Sequence, residues 1–280
     1  MKKWNYGLMW SAALIIWFLP GCKKIPNNGV PVYLEMDSVS VIIDDSVHQG
    51  SASQKISDVW VEAGNSDLGA YEYPVQVPVL KDGNIAFLIS PGIRNNGASG
   101  YRKIYPFLNP DTFTLANAVP GTTYKHHCNF HYKSGAQFHI EDFDGAVNSY
   151  TNITPQSFDV FEGGKSGMLT LSSLDTFKYA YQTIPVAIPG GQAVYVEMNY
   201  KCDIPFTMGV ISNVNGAKQN IDKITFNPKS GWNKTYVDFS YEIGATATAS
   251  GTTYQFYFTA EKSQGSAANI YFDNIKILHF

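Results

Sequence analysis

Charge is what this 280-residue chain has least of: Asp, Glu, Lys and Arg together make up 15% of it, against roughly 25% in an average soluble domain. Its 20 basic and 23 acidic residues leave a formal net charge of −3. That balance offers no counter-charge to a phosphate backbone, so sequence-independent nucleic-acid binding is disfavoured. Cysteine is scarce, with three residues, and no two of them have zinc-site spacing. A sustained apolar period of 3.6 is missing from about residue 30 onward, which argues against amphipathic helices. What is abundant is aromatic: 18 Tyr, 17 Phe and 5 Trp stand in a chain that is 44% apolar. That content excludes a disordered tail and favours strands.

The body of the chain alternates short apolar-polar segments with Gly, Pro and Asn punctuation, the pattern of an all-β protein. Strands are expected at Val30–Glu35, Asp58–Ala63, Gly69–Tyr73, Val75–Leu80, Asn84–Ser90, Thr112–Ala116 and Thr122–Tyr132. The second half continues with Phe138–Phe143, Gly167–Ser172, Ala193–Cys202, Thr207–Ser212, Lys234–Ser240, Thr253–Ala260 and Ile270–Leu278. Parallel sheets need long crossovers, usually helical, and none is visible, so antiparallel β-sandwiches follow. The length suggests two domains, divided here as residues 30–134 and 135–280.

The N-terminal segment has its own grammar. Met1-Lys2-Lys3 precedes the charge-free run Gly7 to Leu19, which is too short to cross a bilayer core and reads as a signal peptide over residues 1–21. The run ends in Leu19-Pro20-Gly21-Cys22, which resembles the lipobox of bacterial lipoproteins. The resemblance implies that Cys22 becomes the lipidated N-terminus, with residues 22–29 as a polar tether and the membrane as a partner through the lipid. The lipobox and the downstream texture resemble envelope proteins of the Bacteroidetes, which implies the outer membrane. Lys23 and Lys24, in place of the acidic stretch that tends to mark surface export in that group, favour the periplasmic leaflet. Asp37-Ser38-Val39 and Asp45-Ser46-Val47 resemble the short O-glycosylation tripeptides of the same group.

Two further resemblances divide the body. Asp58-Val59-Trp60-Val61, Leu68-Gly69-Ala70-Tyr71, Lys81-Asp82-Gly83-Asn84 and Ala86-Phe87-Leu88-Ile89 resemble a PEGA-type or related Ig-like sandwich, which implies a noncatalytic spacer or docking unit. Glu141-Asp142-Phe143-Asp144-Gly145, Phe161 to Gly167, Val194 to Lys201, Trp232 to Val237 and Tyr271 to Ile277 resemble the jelly roll of carbohydrate-binding modules and galactose-binding-like domains. In such jelly rolls a structural calcium often ties first-strand carboxylates to the last strand, which implies Glu141, Asp142 and Asp273 as ligands. The alternative for Asp273 is a carboxylate that accepts backbone hydrogen bonds.

Other motifs carry less chemistry. Gly164-Lys165-Ser166 lacks the upstream Gly and the strand-helix setting of a phosphate loop, and Ser99 lacks a nucleophile elbow. No catalytic residue is assigned, and no cofactor beyond the calcium. A three-residue turn, Ser134-Gly135-Ala136, would place His131 opposite His139, near enough to share a metal. Cys128 and Cys202 fall on the apolar phase of their strands and read as separate buried thiols. Aromatics are the remaining means of binding, because a sugar's apolar face stacks on Trp or Tyr. Tyr200, Trp232, Tyr236 and Tyr254 are the candidates, with core packing as the alternative for each. The expected role is noncatalytic, a module that binds a glycan or docks an envelope protein. A jelly-roll glycoside hydrolase or lyase, needing paired carboxylates across a cleft, is the remaining alternative.

Overall fold

A computed structural model describes residues 29–280; the signal segment, Cys22 and nearly all of the tether lie outside the described residues. The first half holds β1 (Val32–Met36), β2 (Val39–Ile42), β3 (Asp58–Ala63), β4 (Ser66–Glu72), β5 (Val75–Val79), β6 (Gly83–Arg94), β7 (Arg102–Ile104), β8 (Asp111–Ala118), β9 (Thr123–Lys125) and β10 (Cys128–His131). A one-turn helix, α1 (Ser46–Gln49), follows β2 and is capped by the Asp45 carboxylate, which accepts the Val47 and His48 N–H groups. The second half holds β11 (Gln137–Glu141), β12 (Thr154–Gln156), β13 (Ser166–Leu171), β14 (Phe177–Tyr181), β15 (Val194–Cys202), β16 (Phe206–Val214), β17 (Ala217–Phe226), β18 (Lys229–Asp238), α2 (Ser240–Thr246), β19 (Thr253–Glu261) and β20 (Ala268–His279). The chain is all-β, with mostly antiparallel sheets.

Two ladders depart from the antiparallel expectation: β1 pairs in parallel with β9, and β10 with β2. Strands β3 to β8 lie between them: β5 returns to pair antiparallel with β1, and the rest build the sheet β4-β3-β6-β7 with β8 on β6 before the chain returns beside its start. That intervening sheet, and not a helix, supplies the crossover a parallel pair requires.

The second half is a sandwich of two sheets. One runs β12-β13-β20-β15-β18, with β11 also on β20; the other runs β14-β19-β16-β17. Alternation puts Val194, Val196, Met198, Tyr200 and Cys202 of β15 into the shared core, where Phe258 of β19 stacks on Phe272 of β20 at 4.3 Å. The opposite phase of β15 is buried as well: Tyr195, Glu197 and Asn199 are covered by the first half. Strand β20 is buried along nearly its whole length for the same reason. Tyr195, Tyr236 and Leu278 belong to the first half's hydrophobic core, with Tyr105 packed edge-on to Tyr195 at 5.4 Å. The seam is also hydrogen-bonded, since Asn96 N–H donates to the Tyr236 carbonyl at 2.9 Å and Asp238 N–H to the Asn96 side chain at 2.8 Å.

At the centre of this seam sits a charge. The Glu197 carboxylate accepts the hydroxyls of Tyr105 at 2.6 Å and Tyr132 at 3.1 Å, and pairs with Lys234 at 2.9 Å. Lys276, fully buried, donates to the Ser51 carbonyl. Burial opposes ionisation of Glu197, yet Lys234 and Lys276 outweigh it and hold its pKa below the usual range. Burial pushes Lys276 down to about 8.

Candidate functional site

The sandwich has two outer faces, and only the one on β14-β19-β16-β17 is free of the first half. Cross-strand register places Tyr181 of β14, Tyr257 of β19, Gly209 of β16 and Asp222 of β17 in one row across it. Tyr257 lies over Gly209, where an added Cβ would stand 2.3 Å from the ring and 2.5 Å from the Ile221 carbonyl. Glycine therefore lets the ring lie flat across β16 to reach β17, where its hydroxyl donates to Asp222 at 2.5 Å. Burial and this hydrogen bond both raise the Tyr257 pKa, so the phenol stays protonated as a donor.

Tyr179 and Tyr181, two residues apart on β14, stand on this face half-buried, their ring centroids 5.6 Å apart and 34° from parallel. Tyr179 also packs on Tyr257 at 5.3 Å and accepts from Asn220 at 3.2 Å. These contacts hold the Tyr179 ring, Tyr181 packs against it in turn, and both side chains stay partly exposed. Exposed Asn220 and Asp222 flank them, and a cavity of about 300 Å³ at one edge is bordered by Thr207, Asp222, Thr225, Thr259 and Glu261. The arrangement pairs apolar ring faces with hydroxyl-binding oxygens and an amide, the chemistry suited to an uncharged polyhydroxylated ring.

The aromatics singled out in the sequence fall elsewhere. Tyr254 is fully buried inside the sandwich and its hydroxyl donates to the Ile243 carbonyl at 3.2 Å. Tyr200 is buried on the inner face of β15, between Phe206 and Phe226. Tyr236 is buried under the first half, its hydroxyl accepting the Lys55 N–H at 2.9 Å. These three form no exposed platform, because Tyr254 and Tyr200 point into the core and Tyr236 into the seam. Trp232 is half-buried beside Phe161 and Tyr271, tilted by about 60° from each, and donates to Asp159 at 3.1 Å. The paired rings Tyr179 and Tyr181 were not marked out in the sequence, because Phe177-Lys178-Tyr179-Ala180-Tyr181 is short. Its alternation of aromatics with Lys and Ala was the available signal.

The carboxylates proposed for calcium are taken up by the backbone instead. Asp273 accepts the N–H groups of Phe161 at 3.2 Å, Glu162 at 3.1 Å and Asn274 at 2.8 Å. Glu141 accepts from Phe143 and Ser149, and Asp142 from Asp144. Each carboxylate thus satisfies a local loop, and the alternative stated for Asp273 is the arrangement found. Burial, with Asp144 nearby, still raises Asp273 to about 6. The expected His131–His139 pair is not formed: β10 pairs with β2 and β11 with β20, so the turn between them joins separate sheets. His131 bonds Asp44 at 3.0 Å, and His139 meets His279 at 3.3 Å. Cys128 and Cys202 are separate buried thiols. Asp111, His126 and Cys128 do cluster, with His126 bonded to Asp111 at 2.8 Å and burial pushing the Cys128 thiol up to about 12.

No protein-family model matches the chain, and no curated protein matches it. Solved structures do. The CBM22-1 xylan-binding domain from Paenibacillus barcinonensis Xyn10C aligns with 50% of this chain and 91% of its own, at 14% identity and a TM-score of 0.35. Another xylan-binding domain, from CBM 22, covers 52% of this chain and 96% of its own, at 16% identity and 0.37. A carbohydrate-binding module of the β-sandwich superfamily covers 79% of this chain and 84% of its own, at 13% identity and 0.37.

Proposed function

We propose that this protein is a noncatalytic glycan-binding protein of the bacterial envelope, tethered through lipid on Cys22, whose open sandwich face stacks a neutral sugar on Tyr179 and Tyr181. The observation that carries this reading is the pair of half-buried tyrosines, Tyr179 braced by Tyr257 over Gly209 and Tyr181 packed on Tyr179, with Asn220 and Asp222 beside them. Rings already fixed by neighbours lose little entropy on binding, which favours a weak, specific stack. Residues 30–134 act as the spacer that carries the sandwich away from the membrane and seals its other face. The lipid anchor rests on the Leu19-Pro20-Gly21-Cys22 sequence alone. The test is retention on an array of neutral oligosaccharides, with Tyr179→Ala and Tyr181→Ala as variants and labelled fatty acid incorporation into wild type and Cys22→Ala. Retention lost in both tyrosine variants, with the glycan recovered uncleaved, supports the reading. Unchanged retention, or cleavage of the glycan, overturns it.

A further inference from the structure

At the edge of the sandwich, where the end of β17 and β18 meet the loop after β6, lies a cavity of about 440 Å³. Small-molecule sites commonly occupy roughly 300–1,000 Å³. Lys55, Arg94, Lys229 and Lys234 line it, and no carboxylate does. Arg94 is neutralised from behind by Asp58 and Glu72, and Lys234 by Glu197. Lys55 and Lys229 are left facing one another: burial, then the charge of Lys229, lowers the pKa of Lys55. Two ammonium groups share a concave wall in a protein whose net charge is negative.

The rest of the wall fits a hydroxylated body. Tyr200 and Tyr236 border the cavity beside the Asn233 amide, which accepts from Lys55. Thr235 lines the same space, and its buried hydroxyl has no hydrogen-bond partner among the described residues. An unpartnered buried hydroxyl is a group whose cost a ligand removes. We propose that this cavity is a second binding site, for a carboxylated sugar of one or two rings, whose carboxylate sits between Lys55 and Lys229 and whose hydroxyls meet Asn233 and Thr235. The site lies at the β17–β18 edge, away from β14 and its Tyr179 and Tyr181, and does not depend on the neutral-glycan reading.

The experiment is calorimetric titration of the full-length protein with glucuronate, with glucose and with inorganic phosphate, at 50 mM and 300 mM salt. Wild type is compared with Lys55→Gln, Lys229→Gln and Tyr179→Ala. Lys229 is exposed, so its variant folds, and a thermal melt verifies both lysine variants. Glucuronate binding at least about tenfold tighter than either glucose or phosphate is expected, weakened about fivefold or more by each lysine change and by high salt, and unaltered in Tyr179→Ala. Phosphate binding as tightly as glucuronate, or an affinity indifferent to both lysines, would overturn the proposal. Loss of glucuronate binding in Tyr179→Ala would overturn it as well, by moving the sugar to the other face.

Discussion

The two outer faces of the second sandwich use the same residue types to opposite ends. On the face of β15, β18 and β20, Tyr195, Tyr236 and Leu278 are absorbed into the first half's core, and Glu197 is sealed among two tyrosine hydroxyls and two lysines. On the face of β14, β19, β16 and β17, Tyr179 and Tyr181 keep a wet side, and the carboxylate beside them, Asp222, is exposed. A tyrosine on a strand's outward phase is thus either interface or platform. Only a covering neighbour decides which.

Five changes break or sharpen that contrast. The largest effect is expected at the sealed face. Glu197→Ala strands Lys234 and Lys276 without their anion, and removing one partner of a buried pair costs about 3–5 kcal/mol; urea denaturation measures it. The next comes from Asp273. Burial holds its pKa at about 6 in the folded protein against an ordinary 3.8, so the folded state holds this proton more tightly than the unfolded one. The stability this contributes is complete below about pH 4 and is lost as pH rises through 6. Asp273→Asn removes that slope. Its stability relative to wild type should rise by about 2 kcal/mol between pH 4 and pH 7, read from melts across the range.

On the open face the effects shrink in stability and grow in binding. Gly209→Ala drives a methyl into Tyr257 and the Ile221 carbonyl, which costs about 1–3 kcal/mol as overpacking and displaces the brace behind Tyr179. Tyr179→Ala and Tyr181→Ala each cost less than about 1.5 kcal/mol of stability. Each should still weaken neutral-glycan binding about tenfold, since tenfold is only about 1.4 kcal/mol. A stability loss at Tyr179 as large as at Glu197 would mean that the open face is buried too.

Much of the fold was legible. Asp58–Ala63 is β3 to the residue, β15 and β20 were expected within one or two residues, and Cys202 lies on the core phase with Val194, Val196, Met198 and Tyr200. The long expected strand Thr122–Tyr132 is instead two strands, β9 and β10, pairing with β1 and β2 in different sheets. The site was less legible, for two physical reasons. The platform strands, β14 and β17, carry weak signals: one is five residues long, and Ala217–Phe226 is mostly polar because most of it is exposed. Strand periodicity also reports which residues share a face, never what covers that face. Tyr236 lies on an outward phase and is buried only because residues 30–134 fold back over it, a long-range packing that no local pattern encodes.

The contrast between the faces is tested most directly by NMR chemical-shift mapping of the isotope-labelled protein titrated with neutral oligosaccharides. The account predicts perturbations centred on Tyr179, Tyr181, Tyr257, Asn220 and Asp222, with Tyr195, Glu197 and Tyr236 silent. Perturbations confined to the seam around Tyr195 and Glu197, or to the Lys55 cavity, would contradict it.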